Sequence, residues 1–350
     1  MEIAHRRPPR KSPGHHHTGG SPGARAIGPG TGDLVRWCRR AAGPDAGGMT
    51  TIAVRDLARS YGTVRAVDGV SFTVGDGEIF ALLGPNGAGK TTTVEILEGY
   101  RSRDAGTVDV LGFDPATGGA DYRARIGVVL QSAGFEEEFT VRELVRLQAS
   151  LYPRRHDPDE LIDLVGLATK RTTRVKGLSG GQRRRLDLAL GLAGAPDLLF
   201  LDEPTTGFDP AARHHAWDLV ASLRDLGTTI LLTTHYLEEA QRLADRVGVL
   251  RDGRLLTVGS PGELRAASDL PTVISFRIPG GGLSGLPPLS ARPRLAGGVV
   301  RLDSREPVAD TWHLTAWATA RWTPLEDLTV SPPTLEDIYL ALTGEAGDGR

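Results

Sequence analysis

An α/β fold built on a largely parallel sheet is predicted by three observations. From Ile52 to about Ser260, apolar runs of strand length (IAVRDL, VSFTV, EIFALLG, IGVVLQ, LLFLD, TILLTTH and VGVLRDG) alternate with longer segments of helical period. A glycine-rich loop, GPNGAGKTT at Gly84–Thr92, follows the run EIFALL directly, which is where such sheets bind ligands, at the carboxyl ends of their strands. Between Thr140 and about Leu192 helical period dominates instead, in VRELVRLQASLY, DELIDLVGL and GQRRRLDLALGL.

Composition narrows the class before any motif is weighed. At 350 residues the chain has length for about two domains of ~150 residues each. A net charge of -2 gives no general electrostatic reason to expect nucleic acid as a partner. One cysteine, Cys38, excludes an internal disulfide. No run approaches the ~18 apolar residues of a membrane span, and no signal peptide is expected at the start. A membrane role would therefore come through a partner.

The loop Gly84–Thr92 fits G-x-x-x-x-G-K-[ST], in which glycines let backbone N–H groups face inward and cradle phosphate at a helix N-terminus. Lysine is rare here, occurring only at Lys11, Lys90, Lys170 and Lys176, while arginine is abundant. At Lys90 a compact ammonium suits a phosphate point contact better than a planar guanidinium would. Thr91 is placed to offer a hydroxyl to Mg²⁺, and Thr92 continues into the helix predicted by TTVEILEGY. Alone, this loop implies nucleotide binding and nothing narrower.

Further motifs follow in order: Tyr61 before the loop, then Gln131, LSGGQ at Leu178–Gln182, LLFLDEP at Leu198–Pro204, Asp209 and His235. In this order and spacing the chain resembles the ATP-binding-cassette (ABC) ATPases over roughly residues 51–260. The resemblance implies a P-loop NTPase ABC ATPase core, with a mostly parallel sheet, an antiparallel β subdomain and a helical subdomain at about 135–192. It implies ATP and Mg²⁺. ATP would be held by Tyr61 stacking on adenine and by Gly84, Pro85, Asn86, Gly87, Ala88, Gly89, Lys90, Thr91 and Thr92. Thr91, Gln131 and Asp202 would serve Mg²⁺, and Gln131 and His235 would sense the γ phosphate. Glu203 would be the general base. Ser179, Gly180, Gly181 and Gln182 would meet the nucleotide of a second chain, and Asp209 would lie in the dimer-contact loop. Phe208 departs from the leucine usual beside it.

Residues 1–48, rich in Gly, Pro, His and Arg, are expected to be disordered. Met49 opens TTIAVRDLARSYG, where the resembled family normally starts, so it is the expected start. The rival readings are an anionic contact by Arg6, Arg7, Arg10 and Lys11, or metal capture by His15, His16 and His17. After about Pro261 the composition shifts. PTVISFRIP, GGVVRLD and WHLTAWA read as short strands, and TLEDIYLALTG as a terminal helix capped by Thr334 and Asp337. This α+β segment, 270–345, resembles the C-terminal domain of the daunorubicin-resistance type of drug and antibiotic exporter.

What the resemblance implies is an ATPase subunit of an export complex at the cytoplasmic face of the membrane. It would be joined to a transmembrane permease and to a second ATPase chain. Ser132–Thr140, with acids Glu136–Glu138, is read either as part of the permease contact or as a solvated loop. Two alternatives stay open: an importer ATPase, and a soluble ATPase of DNA repair or translation. The latter is opposed by the lack of coiled-coil heptads and of a second cassette.

Overall fold

The computed structural model describes residues 50–343, apart from 131–133, 135, 226 and 280–282. The expectations for residues 1–48, Gln131 and Ser132 lie outside the described residues. Strand β1 (Thr50–Tyr61) pairs antiparallel with β2 (Val64–Gly75) and with β4 (Ala105–Val110), giving a three-stranded sheet of order β2-β1-β4. The second sheet has the order β5-β6-β7-β3-β8-β9. It joins β3 (Ile79–Leu83), β5 (Ile126–Val129), β6 (Leu198–Asp202), β7 (Thr229–Thr234) and β8 (Arg246–Arg251) in parallel, and β9 (Arg254–Gly259) closes one edge antiparallel.

Strands β3, β6 and β7 are buried at every residue, as expected for parallel strands covered on both faces. Their side chains alternate between two cores. Ile79, Ala81 and Leu83 of β3 join one cluster, while Phe80 and Leu82 join the other with Ile52, Val67 and Val70 of the small sheet. Each such leucine or phenylalanine contributes roughly 1.5–3 kcal/mol by leaving water.

Helices cover both cores, the first two in chain order giving Val94, Ile96, Leu97 and Tyr122 to the second. In chain order they are α1 (Lys90–Leu97), α2 (Gly119–Arg123), α3 (Val141–Ser150), α4 (Pro158–Leu164), α5 (Gly180–Leu192), α6 (Pro210–Asp225), α7 (Leu237–Leu243) and α8 (Pro261–Ala267). The segment expected to be helical holds α3, α4 and α5, begun by caps that the sequence carries. Thr140 with Glu143, and Ser179 with Gln182, form reciprocal capping boxes, and Asp157 caps α4 ahead of Pro158.

The C-terminal segment forms a four-stranded antiparallel sheet of order β11-β12-β10-β13. Its strands are β10 (Thr272–Arg277), β11 (Arg294–Ala296), β12 (Val299–Ser304) and β13 (Glu326–Ser331). Here the sequence reading needs correction, because WHLTAWA is not a strand but the middle of helix α9 (Pro307–Arg321). The alternation of large and small residues imitates a strand, yet Asp310, Leu314 and Ala318, spaced by four, are the buried residues of this helix. Pro307 at its first turn and four alanines favour the same outcome. The terminal helix α10 (Leu335–Thr343) is where it was expected, and Thr334 and Asp337 exchange the two capping hydrogen bonds. It places Leu335 and Ile338 in the first core beside Leu264 rather than against the C-terminal sheet.

Candidate active site

Register brings the motifs together. Leu83 of β3 lies opposite Thr234 of β7, and Asp202 of β6 lies opposite Thr233. Gly84, Glu203 and His235 each stand one residue past these ends, so all three leave the sheet along one edge.

At that edge the glycine loop can be nothing else. Gly89 has φ +100°, and a Cβ there would lie 2.2 Å from the Ala66 carbonyl oxygen; a Cβ at Gly84 would lie 2.3 Å from that of Leu250. Gly87 also has a positive φ, +82°. Helix α1 starts from Gly89 with no side-chain cap and no acid in its first turn, leaving its N-terminal N–H groups for an anion. Lys90 Nζ folds over the loop and donates to Gly84 O at 2.8 Å and Pro85 O at 3.1 Å. With 5% of its surface exposed, Lys90 has its pKa lowered by burial, against which Glu203 and Asp202 pull upward. Thr91 is exposed and Thr92 half-buried. Leu83, Gly84, Pro85 and Asn86 line a cleft of about 330 Å³ with His235, Leu237 and Tyr339.

Two adjacent acids end the central strand in different surroundings. Asp202 is buried and accepts a hydrogen bond from Thr233 Oγ1. Burial and the neighbouring Glu203 charge push its pKa up, although Thr233 and Lys90 oppose them. For Glu203, burial also pushes upward, but His235, Lys90 and Thr206 outweigh it and hold the carboxyl below its ordinary value. Its Oε1 lies 3.2 Å from His235 Nδ1 and 3.6 Å from Lys90 Nζ, and its Oε2 accepts from Thr206 Oγ1 at 3.1 Å. His235 is the strongest of the three influences that stabilise the charged carboxylate.

The backbone at Glu203 is strained to achieve this. Its φ is +46°, in the left-handed region, which costs a non-glycine residue about 1–2 kcal/mol. The Glu203 N–H is held by Thr233 O and Thr233 Oγ1, both at 3.1 Å. Such strain persists only where the surroundings hold it, here through Thr233 on the N–H side.

The other expected residues lie where their elements put them. Tyr61 ends β1 with 38% of its surface exposed, and guanidinium groups of Arg59 and Arg101 sit 5.0 and 5.6 Å from its ring centre. An adenine would share that ring with two cations. Ser179 and Gln182 bond to each other across the first turn of α5, while Gly180 and Gly181 have open space where a side chain would go. Asp209 is exposed and its carboxylate accepts from Ala212 N at 2.9 Å, a cap on α6. Glu137 and Glu138 pair with Arg183, and with Arg174 and Lys176, respectively, ahead of and within α5.

Sequence reasoning missed Thr233, Thr206 and Arg184. The threonines carried no motif, and Arg184 sits in a run of three arginines where only the fold shows which one points inward.

Comparison with known proteins fits this geometry. The profile of the ABC transporter family matches residues 67–206, and that of an ABC transporter C-terminal domain matches residues 272–334. The Nod factor export ATP-binding protein I of Paraburkholderia xenovorans is 40% identical over 82% of this chain and 94% of its own length. The chain belongs to the ABC transporter ATPases. It is thus an ATP hydrolase of that family, and its α/β architecture is the family's. The daunorubicin/doxorubicin resistance ATP-binding protein of Streptomyces peucetius is 45% identical over 62% of this chain and 67% of its own. A solved ATP-binding subunit of an ABC transporter superposes with a TM-score of 0.57 at 29% identity, covering 62% of this chain and 92% of the other.

Proposed function

We propose that this ABC ATPase powers an exporter, working as a head-to-tail pair on the cytoplasmic face of a membrane beneath a separate permease. The observation that carries the chemistry is Glu203, whose carboxylate stands beside Lys90 and His235 on the edge where the phosphate loop opens. Lys90 and the loop amides of Gly84–Thr92 hold the phosphates of ATP, and Tyr61 takes the base. Glu203 accepts the proton of the attacking water, and His235 steadies the γ phosphate and the carboxylate together. Ser179, Gly180, Gly181 and Gln182 serve the nucleotide of the second chain, and Asp209 lies beside that contact. Gln131 has the remaining role at the γ phosphate.

The donor set fits Mg²⁺. Thr91 offers a hydroxyl and Asp202 a carboxylate, hard oxygen donors that suit the ion when phosphate oxygens complete its shell. Among the described residues no group of three or more His, Cys, Asp or Glu could hold a metal by itself. When bound, the ion would supply charge neutralisation to the phosphates, and Gln131 would complete the protein's share. Removing the main phosphate cation tests the binding half: Lys90→Ala is expected to weaken ATP binding by about 10–100-fold by calorimetry, as for loss of a charge-assisted contact. Unchanged affinity would overturn the role given to the loop.

Export is supported by the relatives, named for daunorubicin/doxorubicin resistance and for Nod factor export. Among the described residues no helix is long and apolar enough to cross a membrane, and the permease in this reading is a separate chain. Exposed apolar residues offer it a surface: Tyr100, 70% exposed, and Leu130 on the core, with Leu147 and Leu151, 69% exposed, on and after α3. In the native host the chain should sediment with membranes, and Leu151→Asp should release it while ATP turnover in solution stays within about twofold. Wild-type chain that remains wholly in the soluble fraction would count against the transporter role.

A further inference from the structure

Arg184 stands in the second turn of α5, the helix that Ser179 begins, and its side chain is 11% exposed. Its guanidinium is the meeting point of four backbone carbonyls. Nε donates to Pro204 O at 3.0 Å, and Nη2 donates to Asp202 O at 2.9 Å and Glu203 O at 3.1 Å. Nη1 donates to Leu130 O, the residue before Gln131, and lies 3.7 Å from Asp187 of its own helix. Three consecutive carbonyls can converge on one fork because Glu203, at φ +46°, turns the chain back on itself. A cavity lined by Val129, Arg185, Leu188, Leu201, Phe208 and His215 lies against the same guanidinium.

The turn is therefore gripped from two sides. Its N–H donor is fixed to Thr233 of β7 in the core, and its carbonyls are fixed to α5. The helix that presents LSGGQ to a second chain is in this way bonded directly to the turn that aims the base.

We propose that Arg184 is a positioning residue for hydrolysis, which ties the signature helix to the strained turn carrying Glu203 and so passes movement of that helix to the base. This rests on the assignment of Glu203 as base. A lysine in its place reaches one or two of the carbonyls, having a compact head instead of a planar fork, and a methionine reaches none.

The test compares wild-type full-length chain with Arg184→Met and Arg184→Lys by two readouts. Hydrogen exchange of the nucleotide-free proteins reports the tether without any turnover. In Arg184→Met the amides of Glu203, Thr205 and Thr206 should exchange about fivefold faster or more, with residues 90–97 unchanged. Steady-state kinetics reports the consequence: kcat for ATP should fall about tenfold or more with KM within about twofold, and Arg184→Lys should recover part of the loss. Should Arg184→Met not fold, Arg184→Lys decides by the same two measurements.

Unchanged exchange at Glu203, Thr205 and Thr206 would overturn the proposal, as would kcat and KM falling and rising together in step with a lowered melting temperature. Wild-type turnover that survives in Glu203→Gln would instead defeat the assignment of Glu203, and the exchange data would still decide the tether.

Discussion

Glu203→Gln is expected to cut steady-state ATP turnover by about 10²–10⁴-fold, the range that a positioned general base contributes. The amide keeps the length of the side chain and a hydrogen-bonding oxygen for Thr206, so the turn at φ +46° should persist. What it removes is the proton acceptor and one negative charge 3.6 Å from Lys90. Nucleotide affinity should therefore hold or rise, because Lys90 then faces the phosphates with one competitor fewer. Single-turnover measurement with radiolabelled ATP, beside equilibrium binding, separates the two effects. Loss of binding in parallel with turnover would show that Glu203 supports the loop and not the chemistry.

A second large effect is expected at Glu98, immediately after α1. Its side chain is buried, and its Oε2 has no hydrogen-bond partner among the described residues. Burial, followed by the charges of Asp202 and Glu95, pushes its pKa from 4.5 to about 8. The nearby Tyr122, whose hydroxyl donates to Leu97 O, is pushed upward by burial and then by Glu98.

The sign of the consequence follows from linkage. Below pH 4.5 the carboxyl is protonated folded or unfolded and costs nothing extra. As pH rises towards 8 the unfolded chain releases the proton and the folded chain retains it, so stability falls, by on the order of 3 kcal/mol between pH 4.5 and 7. Glu98→Met, of similar length and without charge, should abolish that loss. Its advantage in melting temperature over wild type, measured without nucleotide or metal, should grow from pH 5 to pH 8. Parallel curves would mean that Glu98 ionises freely in the folded protein.

The placement of Lys90, Asp202, Glu203 and His235 was legible in the sequence for one physical reason. Each ends or follows a strand-length run, directly for Asp202, Glu203 and His235 and across the loop Gly84–Gly89 for Lys90, and parallel strands deliver such ends to one edge. The helical segment was equally legible, because its apolar residues recur at helical period, and the structure adds Thr140, Asp157 and Ser179 as the caps before them. What failed was WHLTAWA, where alternating side-chain size suggested a strand and burial at a spacing of four made a helix. Arg184 was illegible for a different reason. Among Arg183, Arg184 and Arg185, local chemistry is identical, and only the turn at Glu203, formed by a strand distant in sequence, selects the middle one. Glu98 likewise looks like an ordinary helix-end acid until the sheet closes over it.

The claim on which the account turns is that the catalytic site is completed by a second chain. The most direct measurement is the mass in solution of full-length Glu203→Gln protein by light scattering, with and without Mg·ATP. The account predicts monomer without nucleotide and dimer with it, the dimer lasting because hydrolysis is blocked. Protein that binds ATP and remains monomeric would contradict it.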